Sequence, residues 1–236
     1  MHGSDVAGRV RSGDRRALAR LVTLIETGDP GVDQIVASII DSAPPARRIG
    51  ITGPPGAGKS TLVDAMVTEF RARGDSVAVL AVDPSSPITG GALLGDRIRM
   101  QGHVDDPGVY VRSMASRGHV GGLSAAAAPT IAVLARAGFD FVLVETVGVG
   151  QSELEVMDHA DSVVLVLAPG WGDQIQADKA GVVEIADVFV VNKGDRPGVD
   201  MVQRALLERL GGSGTPVLVT TATTGEGVPA LVEVVR

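Results

Sequence analysis

Residues 53–61, GPPGAGKST, place glycines, a lysine and hydroxyls at a spacing suited to holding phosphate. Gly53, Gly58, Lys59 and Ser60 satisfy G-x-x-x-x-G-K-[ST], with Pro54, Pro55, Gly56 and Ala57 between them and Thr61 after. In such a loop the backbone N–H groups curl around phosphate oxygens, and the helix that opens beyond it adds its positive end. The Lys59 ammonium would reach the β and γ phosphates, and the Ser60 hydroxyl would ligate Mg2+.

Mg2+ prefers oxygen ligands and takes one or two carboxylates beside waters and phosphate. Three acids are candidates: Asp83 at the end of VLAVD, Asp96 in GGALLGD and Glu145 at the end of FVLVE. Asp83 and Glu145 close apolar runs, where an unpaired carboxylate is expensive, so a cation partner is expected for each. Asp96 also reads as an exposed acid beside Arg97 and Arg99. Gly148 follows Glu145 by the spacing at which a backbone N–H meets a γ-phosphate and senses its loss. Val149 stands where the Ras-type pattern has a water-orienting Gln, so hydrolysis should be slow alone unless Gln151 or a group from outside the loop substitutes.

A second polar cluster, NKGD, ends the apolar run VFVV at 188–191. Asp195, acceptor-only when ionised, can take the two donors of guanine N1 and N2, which adenine lacks. Asn192 would fix the loop and contact the base, and the Lys193 stem would cover the base's face. TTATTGEG at 220–227, with Thr221, Ala222 and Thr223, would offer the Ala222 N–H to guanine O6. A buried hydrogen-bonding group of this kind discriminates by about 10⁴ to 10⁵, enough to exclude ATP. Of the 21 lysines and arginines, only Lys59, Lys179 and Lys193 are lysines. That scarcity makes Lys179, in PGWGDQIQADKAG, either a third functional lysine or a solvated helix residue.

Positioning these groups requires a sheet. RRIGIT, SVAVLAVD, VYVRS, FDFVLVE, SVVLVLA, VFVVN and PVLVTT are short apolar runs alternating with helix-like segments. The pattern predicts βαβ units in an α/β P-loop fold, a mostly parallel twisted sheet with helices on both faces. In such sheets ligands bind beyond the carboxyl ends of the strands, where the polar clusters collect here. Residues 14–27 predict a helix with Leu18, Leu21, Val22 and Ile25 on one face and Gly28 as its stop. A second helix is expected over 31–42, with Ile35, Val36, Ile39 and Ile40 turned inward. Together they make a helical appendage over 1–45, before a nucleotide domain over 46–236. A further helix is expected over 124–138, with Pro129 in its first turn or at a kink.

Composition narrows the partners. The 236 residues carry 28 acidic and 21 basic side chains and no basic block, which argues against nucleic acid. No apolar stretch is long enough to span a membrane, and the polar start is no signal peptide. With no cysteine and four scattered histidines, a zinc or nickel site is not expected. A cytoplasmic protein is the expectation.

GPPGAGKST, AVDPSSPITGGALLGDRIRM, VRSMASRGHVGGL, ETVGVGQSE, APGWGDQIQADKAG and VVNKGD, in this order, resemble the MeaB/MMAA/ArgK-like GTPases over about residues 14–236. The resemblance implies GTP/GDP and Mg2+ as ligands, and a chaperone of an adenosylcobalamin-dependent acyl-CoA mutase, chiefly methylmalonyl-CoA mutase. It further implies dealings with the cobalamin adenosyltransferase that supplies the cofactor. Asp83, Asp96 and Glu145 match the family's metal-linked switch acids, and Lys179 matches a lysine in a loop that responds to the partner. With Lys59 and Gln151, the residues Asp96, Glu145 and Lys179 form the expected catalytic set. The family's homodimer uses a C-terminal helical arm, which does not follow the guanine-side loop and one short helix that end this sequence. A P-loop kinase is the alternative, and NKGD opposes it, because an ATP-using enzyme gains nothing from a guanine-reading carboxylate.

Overall fold

In a computed structural model of the chain, residues 3–41, 44–84, 100–103, 105–116, 122–146, 155–170 and 184–236 are described. Asp96, Gly148, Gln151 and Lys179 lie outside them. Three helices come first: α1 (Gly3–Arg11), α2 (Arg15–Thr27) and α3 (Val32–Ile40). Then follow β1 (Arg47–Thr52), α4 (Lys59–Ala72), β2 (Val77–Pro84), β3 (Val109–Ser116), α5 (Gly122–Leu134) and β4 (Phe141–Thr146). The remainder is β5 (Ser162–Leu167), β6 (Val188–Asn192), α6 (Val199–Leu210), β7 (Val217–Thr220) and α7 (Val228–Val235).

All seven expected strands form, in the hydrogen-bonded order β3-β2-β4-β1-β5-β6-β7. The β1–β5, β2–β3, β5–β6 and β6–β7 ladders are parallel. Every residue of β4, β5 and β6 is buried, so these strands are covered on both faces. That burial is why they read as unbroken Val/Leu runs rather than as an alternating pattern.

The chain divides into two compact units, residues 1–48 with 75–144 and residues 49–74 with 145–236. In the first, α1 packs on α2 and α3, which in turn pack on α5. Asp14 caps α2 by accepting the N–H groups of Arg16 and Ala17 at 2.9 and 3.0 Å, and Gly28 stops the helix in the left-handed region, as expected. Helix α3 buries Val32, Val36 and Ile39, while Ile35 and Ile40 are only half-buried. Helix α1 was not expected. It is short and mostly polar, but Val6, Ala7 and Val10 fall on one side and are buried. Pro129 lies inside α5 rather than in its first turn. An ion pair between Arg112 of β3 and Glu26 of α2, with both side chains mostly buried, ties helix to strand.

In the second unit, Leu165, Leu167, Phe189, Val191, Val199, Val202 and Leu206 form one apolar cluster between β5, β6 and α6. Phe189 is fully buried, and its truncation to alanine would cost about 3–5 kcal/mol. Helix α7 packs on α4 and β7, and Arg73 at the end of α4 bonds Glu69 at 2.7 Å and Glu233 of α7 at 2.6 Å. This packing fixes α4, and with it the loop that α4 terminates.

Candidate nucleotide site

The described site residues that come together all belong to the second unit. Strand β1 runs into the loop 53–58, and the loop into α4, which begins at Lys59. Gly53 has φ of +143°, and a Cβ there would sit 2.1 Å from the Val166 carbonyl oxygen. No other residue fits. Gly58, with φ of +93°, leaves no room either: a Cβ would stand 2.5 Å from the side-chain nitrogen of Asn192. The glycines of the motif are therefore set by two neighbouring strands as well as by phosphate chemistry.

Lys59 is buried, and its ammonium donates to the carbonyls of Gly53 and Pro54 at 2.7 and 3.1 Å. Burial lowers its pKa below the ordinary 10.5, and the Glu145 carboxylate acts in the opposite direction. A buried ammonium whose described hydrogen bonds go to two carbonyls is poised for a phosphate anion. Ser60, also buried, donates its hydroxyl to Glu145 Oε1 at 2.6 Å. A hydroxyl and a carboxylate in contact at a helix N-terminus form an all-oxygen donor pair that fits a hard divalent cation such as Mg2+. Asp83 is the last residue but one of β2, where its backbone pairs with Ala115, and belongs to the first unit. Its side chain lies outside the described set.

Asn192 is the centre of the guanine-side cluster. Its Nδ2 donates to the carbonyls of Ala57 at 3.0 Å and Gly58 at 3.4 Å. Its Oδ1 accepts the Thr220 hydroxyl at 3.0 Å and the Ala222 N–H at 3.2 Å. The Ala222 N–H, expected to face guanine O6, thus has the Asn192 Oδ1 as its acceptor. Lys193, the only non-glycine with positive φ among the described residues, donates its ammonium to the Gly56 carbonyl at 2.6 Å. Asp195 lies exposed in the turn after β6, Thr221 is buried, and Thr223 is exposed. Thr220 was not anticipated as part of the site, nor was a buried hydroxyl pair, Thr146 to Thr52, at 3.2 Å. Both lie one residue from a predicted site residue, in ETV and TTA, and adjacency was the available signal.

A strand, a glycine loop with a buried lysine, a helix, and a second loop wired to the first by an asparagine define a P-loop nucleotide-binding protein. The sequence model of the methylmalonyl-CoA mutase-associated GTPase MeaB matches residues 18–236. A putative GTPase of Pyrococcus horikoshii is 50% identical over 97% of this chain and 75% of its own length. The GTPase ArgK of Escherichia coli is 42% identical over 79% of this chain and 58% of its own length. Among solved structures, an LAO/AO transport system kinase superposes with a TM-score of 0.79 at 29% identity, covering 99% of this chain and 73% of that one. The chain belongs to the MeaB family of P-loop GTPases.

Among the described residues no helix is long and apolar enough to cross a membrane.

Proposed function

We propose that this GTPase serves as a nucleotide-driven chaperone of an adenosylcobalamin-dependent acyl-CoA mutase, gating delivery of the cofactor and protecting the loaded enzyme. The observation that carries the reading is the family match over residues 18–236, to a family described by its association with methylmalonyl-CoA mutase. The geometry supplies what such a switch needs: one asparagine, Asn192, bonded both to the phosphate loop and to the loop that would hold the base.

In this reading Asp195 selects guanine, the loop N–H groups and Lys59 hold the phosphates, and Ser60 and Glu145 would hold Mg2+, with Asp83 and Asp96 as further switch acids. The cation supplies charge neutralisation at the β and γ phosphates. Lys59 stabilises the charge that gathers on the phosphoryl oxygens as water attacks, and Gly148 reports γ-phosphate loss through its N–H. Val149 cannot orient the attacking water, so turnover alone is slow. Gln151 or the partner completes the site, with Lys179 on the loop that answers to the partner. The N-terminal helices over 1–45 serve as an appendage to a GTPase domain over 46–236. The protein works in the cytoplasm beside the mutase and its adenosyltransferase.

The similarity to an LAO/AO transport system kinase motivates a second reading, ATP-dependent phosphoryl transfer to another substrate. A nucleotide panel followed by hydrolysis assays with methylmalonyl-CoA, isobutyryl-CoA and ethylmalonyl-CoA mutases separates the two. Tight GDP and GTP binding, with hydrolysis stimulated by one of the mutases, is expected. Lys179→Ala should reduce the stimulated-to-unstimulated ratio. Preference for ATP, with no response to any mutase, would favour the kinase.

A further inference from the structure

Thr146 is the last residue of β4, fully buried, and its hydroxyl donates to that of Thr52 at 3.2 Å. Thr52, equally buried, is the last residue of β1 and directly precedes Gly53. One residue before Thr146, Glu145 accepts the Ser60 hydroxyl at 2.6 Å. Two consecutive residues of one strand thus hold the two ends of the phosphate loop: Thr146 where the chain enters it, Glu145 where the chain leaves it. Successive strand side chains point to opposite faces, so the two grips reach the same loop from the two sides of β4.

Packing alone does not demand hydroxyls here. Valine has the shape of threonine, and β5, buried throughout, reads SVVLVL. Fully buried hydroxyls bonded to each other are a directional link, which valine would not provide. The middle of the loop is held from elsewhere, by Asn192 and Lys193 on the carbonyls of Ala57 and Gly56. Its entry is held by Lys59 on the Gly53 and Pro54 carbonyls, and both ends are tied to β4 through Thr146 and Glu145.

We infer that Thr146 is a positioning residue for the metal pair: through Thr52 it fixes where the chain enters the phosphate loop and so keeps the Ser60 hydroxyl against the Glu145 carboxylate as the loop takes up phosphate and Mg2+. The inference rests on the P-loop GTPase reading with Mg2+ at Ser60 and Glu145. Thr146 acts on the cation through its neighbours and touches neither phosphate nor water itself.

The test measures GDP affinity of the full chain in EDTA and at rising Mg2+ concentration, for wild type, Thr146→Val, Thr146→Ser, Thr52→Val and the double valine variant. Thr146→Val should bind GDP in EDTA as wild type does, while the Mg2+ concentration that gives half of the affinity gain rises by roughly fivefold, the scale of one lost hydrogen bond. Thr146→Ser should restore the wild-type Mg2+ requirement. Thr52→Val should raise the Mg2+ requirement at least as far as Thr146→Val does, and the double variant should add nothing to Thr52→Val, because Thr52→Val already removes the shared hydrogen bond. A variant that unfolds at lower temperature with an unchanged Mg2+ requirement would show a purely structural hydroxyl and overturn the inference. Equal losses in EDTA and in Mg2+ would overturn it too, by placing the effect on the phosphate cradle as a whole. A wild-type protein whose GDP affinity ignores Mg2+ would instead remove the metal reading underneath. Should Thr146→Val fail to fold, Thr52→Val carries the same comparison.

Discussion

At the end of β4 a buried carboxylate faces a hydroxyl; at the end of β6 a buried carboxamide faces two carbonyls, a hydroxyl and an N–H. The two strand ends grip the same phosphate loop, β4 at its extremities and β6 at its middle. Their chemistry differs because their ligands differ. A carboxylate is acceptor-only, so the β4 end is built to receive positive charge. A carboxamide both donates and accepts, so Asn192 is satisfied by the protein itself and holds its loop in shape before any base arrives. One end is prepared by electrostatic demand, the other by geometric completeness.

The comparison breaks most sharply at Lys59. Replacing it with alanine removes the buried cation on the β4 side and should weaken GDP binding by about 10³-fold or more, with the fold retained by circular dichroism. Affinity within tenfold of wild type would discredit the loop as the phosphate site.

Asp195→Asn attacks the other side. It should reverse base preference, lowering GTP affinity relative to xanthosine triphosphate by roughly 10² or more, because an amide presents a donor where guanine also donates. Competition binding with the two triphosphates reads this directly, and an unchanged ratio would remove NKGD from the base site.

Asn192→Ala tests whether the two ends are joined. It leaves the Ala57 carbonyl, the Thr220 hydroxyl and the Ala222 N–H without their shared partner, at a cost of about 1–3 kcal/mol in urea unfolding. Inorganic pyrophosphate, which has no base, should also bind more weakly. If only base-dependent affinity falls, the bridge to the phosphate loop is idle.

The smallest effect is the pH response of Lys59. Its folded pKa lies below 10.5, so between that lowered value and 10.5 the unfolded chain binds more protons than the folded one. The burial penalty is full below the lowered pKa and is relieved as pH rises through it. The stability of the nucleotide-free protein relative to Lys59→Met should therefore shift in favour of wild type with rising pH, measured by urea unfolding from neutral pH upward. A flat difference would mean that the ammonium is not desolvated.

Most of the framework was legible in the sequence, for a physical reason. Strands buried on both faces must be continuously apolar, and FVLVE and VFVVN announce both the strand and the polar residue that ends it. Helix α1 escaped because three small or medium apolar residues, Val6, Ala7 and Val10, give a weak periodic signal over nine residues. Pro129 left two places open, a first turn or a kink, and it lies past the first turn of α5. In the site, Lys59, Ser60, Glu145 and Asn192 were named from the sequence and are brought together around the glycine loop. Thr52, Thr146 and Thr220 were not, because threonine is common in strands and reveals its partner only once two strand ends are brought side by side.

The unit that holds the site is assembled from separated stretches of chain, and this affects how the protein is made. Glu145 leaves the ribosome 85 residues after Ser60, and Asn192 follows Ala57 by 135. At about 5–20 residues per second, the phosphate loop waits roughly 4–17 s for its carboxylate and roughly 7–27 s for its asparagine. The nascent loop therefore acquires its carboxylate first and its asparagine second, and the full set of contacts is complete only late in synthesis.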